Sequence, residues 1–100
     1  MKYNYEEKQI AQDFINCKIP DSIKNNKHNL NFDTMEFYEL LFDFAHCVLD
    51  DVSLTSNFSS LLVIEEFGVL KKQLNPNGVE QKFFDNANRL LEIITRHVEI

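Results

Sequence analysis

Structure breakers are scarce in this chain. Gly68, Gly78, Pro20 and Pro76 are its only glycines and prolines in 100 residues, where average usage would supply about twelve. A turn-dense sandwich or small barrel needs both residues at most of its corners. The predicted fold class is therefore all-α, a compact bundle of about four helices in a single domain over residues 1–100. With 44% apolar residues, a chain this long can bury roughly two-thirds of its unfolded surface without a disulfide or a metal.

Apolar periodicity places the helices. Ile10, Ala11, Phe14, Ile15 and Cys17 recur at helical spacing, with Glu6 and Glu7 suited to the positive end of a helix dipole. A first helix is predicted from Tyr5 to about Lys18, stopping before Pro20 because a proline pushes its predecessor out of the α region. The polar stretch 21–31 shows no sustained period and is predicted to be a loop. Asp33-Thr34-Met35-Glu36 has capping-box spacing and starts a second helix reaching about Val52, apolar on most sides. A third is predicted from about Ser59 to Leu74, with Gly68 marking a close crossing or a bend. Asn75-Pro76-Asn77-Gly78 then breaks the chain before a fourth from Val79 to about Val98, whose stripe is Phe83, Ala87, Leu90, Leu91, Ile94 and Val98.

Catalytic machinery is hard to find. Asp43-x-x-His46 puts a carboxylate and an imidazole on one helix face, as in half of a dinuclear carboxylate site, but His97 has Ile94 in place of the second carboxylate. A surface histidine among acids is the plainer reading. Cys47 follows His46 directly, and neighbours on a helix point about 100° apart, so no thiol–imidazole pair is expected. Both cysteines, Cys17 and Cys47, sit in apolar patterns and read as buried, inert thiols. With no Gly-rich phosphate loop either, the expectation is a protein that is not an enzyme and carries no cofactor or metal.

Charge is more informative. The net charge is −6, which opposes direct contact with nucleic acid or an anionic membrane. No Lys or Arg falls between Lys27 and Lys71, while Asp33, Glu36, Glu39, Asp43, Asp50, Asp51, Glu65 and Glu66 all do. Within the second helix Glu36, Glu39, Asp43, His46 and Asp50 follow at intervals of three and four, one ridge along an apolar cylinder. A merely solvated face explains the ridge but not its sign, since Lys interleaved with Glu would be locally favourable. Asp50 and Asp51 near a helix C-terminus also oppose the dipole. The alternative is a partner-binding face, with Tyr38 beside the ridge and Phe58 in the following loop as partly exposed aromatics.

A cytoplasmic location is expected, because the start Met1-Lys2-Tyr3-Asn4-Tyr5 lacks the apolar run of a signal peptide and two lone cysteines suit a reducing compartment. Eleven Asn, and eight Lys against two Arg, fit a low-GC bacterial or phage gene. An acidic, all-helical chain of this size with acids gathered in its middle resembles, in format, the immunity proteins of bacterial toxin systems such as colicins and contact-dependent growth inhibition. The Tyr-Tyr pair of the colicin nuclease inhibitors has no counterpart, since Tyr3, Tyr5 and Tyr38 are never adjacent. The resemblance implies an inhibitor that caps a basic, nuclease-like toxin domain. Two other classes remain open: a helical adaptor, antitoxin or phage anti-defence subunit acting by oligomerisation or nucleic-acid mimicry, and a small enzyme or metal carrier built on Asp43 and His46.

Overall fold

The computed structural model describes residues 2–25, 33–54, 60–74 and 78–97. Within them the chain forms α1 (Tyr5–Asn16), α2 (Asp21–Asn25), α3 (Thr34–Leu49), α4 (Ser60–Leu74) and α5 (Val79–His97). Four long helices and one short one make an all-α bundle. Its radius of gyration is 12.9 Å, close to the value of about 13 Å expected for a hundred-residue domain. None of the described helices is long and apolar enough to cross a membrane.

Local sequence sets most boundaries. Asn4 caps α1 through a complete capping box: its side chain accepts the Glu7 N–H at 2.8 Å and the Glu7 carboxylate accepts the Asn4 N–H at 3.0 Å. Asp33 caps α3 by accepting the Glu36 N–H at 2.7 Å. Gly78 takes a left-handed φ of 56° and its carbonyl accepts the Lys82 N–H at 3.1 Å, so the turn into α5 uses the backbone freedom of glycine.

Helix α3 ends three residues earlier than predicted, and the reason is Asp51. Asp51 adopts φ 61°, its N–H donates to the Val48 carbonyl and the next N–H, of Val52, donates to the Cys47 carbonyl. This is a Schellman motif with aspartate where glycine is usual, a substitution that Asp and Asn tolerate better than most residues.

The predicted loop over 21–31 is corrected at its start. The Pro20 carbonyl accepts the N–H groups of Ile23 and Lys24, opening the short helix α2, and the Ile23 side chain is fully buried. Proline's fixed φ suits the entry to a helix. The Thr34 hydroxyl donates to the Ile23 carbonyl, tying α2 to the start of α3. Gly68 is not explained by a close crossing, because a Cβ placed there would meet nothing within 4 Å.

Helix α1 runs antiparallel to both α3 and α5. Its N-terminal end meets Asp51 and His97, and its C-terminal half puts Phe14 against Tyr38 and Phe83 at 5.9 and 5.7 Å between ring centroids. The aromatic contacts continue from Phe83 to Phe84, Phe67 and Phe37, so one chain of rings joins the four long helices. Leu41 and Leu90 are fully buried in this core.

Candidate functional site

All five ridge residues, Glu36, Glu39, Asp43, His46 and Asp50, are exposed along α3. Among the described residues no salt bridge reaches any of them. Their opposite face, Phe37, Leu41, Phe44, Ala45 and Val48, is buried. The flanks are half-covered rather than enclosed: Met35, Tyr38, Phe42, Cys47 and Leu49 each keep part of their surface.

A shallow groove opens on one flank, lined by Met35, Tyr38, Glu39, Phe42 and Asp43. Tyr38 is anchored from below by Phe14 and Phe83, and Phe42 leans on Tyr38 at 5.9 Å and meets the His46 ring edge-on at 4.6 Å. Burial pushes the Tyr38 phenol up, so it stays a neutral donor at physiological pH. The ridge also acts on its surroundings. Burial first, and then the charges of Asp43 and Asp50, push the Cys47 thiol up, which leaves it a poor nucleophile. Cys17 and Cys47 are both free thiols, and both are half-buried rather than buried as their apolar patterns predict.

Three further acids behave differently. Asp51 accepts the N–H groups of Lys2 and Tyr3 on one carboxylate oxygen, both at 3.0 Å, and pairs its other oxygen with the Lys8 ammonium at 3.3 Å. The Tyr3 N–H leads in holding its carboxyl below the usual range; desolvation opposes it, and the Lys8 ammonium and the Lys2 N–H add to the lowering. Asp51 thus binds the N-terminal segment to the end of α3, and the dipole argument that treated it as a spare charge does not apply. Glu66 is buried, at 6% exposure, and is not available as a surface contact, whereas Glu65 is exposed on α4. Phe58 lies outside the described residues.

A second cluster went unread in the sequence. Glu7 is buried, at 5% exposure, and beyond its capping role accepts a hydrogen bond from His97 at 2.8 Å and faces Arg96 at 3.6 Å. Burial raises its carboxyl, but the Asn4 N–H, His97 and Arg96 together outweigh that and hold it low. Tyr3 packs edge-on against His97 at 4.7 Å, and its hydroxyl donates to the Val52 carbonyl. These groups are committed to one another and act as a clasp joining α1, α5 and the end of α3. The visible half of the signal is Asn4-x-x-Glu7; its partners lie 90 residues on.

Among the described residues no group of three or more His, Cys, Asp or Glu is placed to hold a metal ion, Asp43 and His46 included. Comparison with protein-family models, with curated proteins and with solved structures returns no match.

Proposed function

We propose that the chain is a non-catalytic binding protein of the inhibitor class, covering the basic surface of a protein partner with the acidic ridge of α3. The format it shares with bacterial immunity proteins makes a toxin domain acting on nucleic acid the partner of choice. The observation that carries this reading is that Glu36, Glu39, Asp43 and Asp50 stand exposed along one helix that contains no lysine or arginine, and no salt bridge among the described residues reaches them. Like charges three and four residues apart cost a helix a few tenths of a kcal/mol each. Their field speeds encounter with a cationic cleft and lets carboxylates occupy phosphate positions, with no chemistry asked of the inhibitor. Tyr38 flanks that face and Glu65 stands exposed on α4, while Asp51 and Glu66 belong to the fold.

The test is kinetic. A partner isolated from the native host by co-purification should associate with the wild-type chain at a rate that falls steeply with salt. Glu39→Lys with Asp43→Lys should keep the helical spectrum, slow association and flatten its salt dependence. An unchanged rate, or a partner whose contact surface is acidic, refutes the proposal.

A further inference from the structure

Resting on that reading, we infer that the groove between Tyr38 and Phe42 is built to take an arginine side chain of the partner. Its floor is apolar and aromatic, Met35, Tyr38 and Phe42, and its rim carries Glu39 and Asp43. These two positions are four residues apart on one helix and so lie one above the other, with about 5–6 Å between their Cβ atoms. A cationic occupant satisfies both features at once, its charge against the two carboxylates and its body against the rings.

The groove distinguishes guanidinium from ammonium. A guanidinium is planar and less strongly hydrated; it stacks flat on an aromatic face while its in-plane N–H donors reach acceptors at the rim. An ammonium is a hydrated point charge that answers the carboxylates but makes little use of the rings. The rings are held in place for this use: Tyr38 is fixed by Phe14 and Phe83, and Phe42 is bracketed by Tyr38 and the His46 edge. The carboxylates are also uncommitted, since no salt bridge among the described residues reaches Glu39 or Asp43. Elsewhere on α3 the ridge offers carboxylates and an imidazole, so a preference arising there comes from forked carboxylate pairing and does not depend on the Phe42 ring.

The experiment uses the full chain and two synthetic peptides of equal charge, one alternating Gly with Arg and the other Gly with Lys, followed by amide and aromatic resonances in solution. The arginine peptide should bind about two- to fivefold more tightly, the size of an exposed cation–π contact, and shift Tyr38, Glu39, Phe42 and Asp43. Phe42→Leu keeps an apolar side chain in the groove but removes one of its two ring faces, and should narrow the preference for arginine over lysine. Glu39→Gln with Asp43→Asn should weaken both peptides alike. Equal affinities with shifts spread from Glu36 to Asp50 overturn the arginine groove yet leave the acidic-face reading intact. Failure of the arginine peptide to perturb α3 also overturns it, and the host-partner kinetics then judge the wider reading independently.

Discussion

Asp51 accepts two backbone N–H groups and the Lys8 ammonium, whereas Asp50, the residue before it, holds its carboxylate out in solvent at the end of the ridge. The same contrast holds between Glu7, enclosed by Asn4, His97 and Arg96, and Glu39 or Asp43, which no salt bridge among the described residues reaches. One set of carboxylates closes the bundle where the N-terminal segment meets the ends of α3 and α5. The other set lies on a helix whose inner face alone would hold it in place. Residue type does not separate the two sets; neighbours do, and those neighbours decide how each set responds to mutation, acid and salt.

The largest effects should come from the core beneath both sets. Leu41→Ala, below the ridge, and Leu90→Ala, on the helix that carries the clasp, should each cost about 2–5 kcal/mol in denaturant unfolding, because both side chains are fully buried. Losses under about 1 kcal/mol would place these helix faces wrongly. Next comes the clasp itself. Glu7→Ala removes a buried carboxylate and its two part-buried, charge-assisted hydrogen bonds to the Asn4 N–H and the His97 ring, and should cost about 1–3 kcal/mol. Glu39→Ala, at an exposed site, should stay within about 0.5 kcal/mol. Equal costs for the two would erase the distinction drawn between the sets.

Acid sharpens it. The carboxyls of Glu7 and Asp51 are both held below their ordinary values by N–H donors and cations. A carboxyl depressed in the folded state binds fewer protons there than in the unfolded chain. Its stabilising contribution is therefore present above the ordinary carboxylate range near pH 4 and is lost as pH falls through the lower folded value. Wild-type stability should fall steeply below about pH 4, and Glu7→Gln with Asp51→Asn should flatten that fall. An unflattened profile would show that the acid response comes from elsewhere.

How far the sequence could show this follows from the range of each interaction. Asp33 and its partner Glu36 are three residues apart, the buried stripe of α5 is a helical period, and the ridge is a period of three and four, so each is written in a short window. Helix α2 is only five residues long, too short to display a period, so nothing in the sequence separates its fully buried Ile23 from a loop residue. In the sequence Asp51 and Glu7 show only as charges near helix ends, because the N–H donors of Asp51 stand 48–49 residues away and the His97 partner of Glu7 stands 90 away. Charge at a helix terminus was weighed against the dipole, an effect of a few tenths of a kcal/mol for an exposed acid. The N–H groups of Lys2 and Tyr3 supply direct charge-assisted hydrogen bonds, which outweigh it.

The smallest effect gives the sharpest separation, since stability and binding should move in opposite directions. Asp43→Lys places a lysine four residues after Glu39, the favourable orientation for an i,i+4 pair, and removes a like-charge neighbour at the same spacing. The position is exposed and without a salt bridge among the described residues, so the substitution disturbs no packing. The folded chain should gain about 0.2–0.5 kcal/mol in denaturant unfolding. The same change reverses one charge at the rim of the groove and should slow association with a basic partner, most clearly at low salt. A residue kept for the fold cannot behave this way, because its loss would lower stability. A destabilisation above about 1 kcal/mol would move Asp43 into the class of Glu7 and Asp51, and a gain in stability with unaltered association would leave the ridge as a solvated face with no partner to meet.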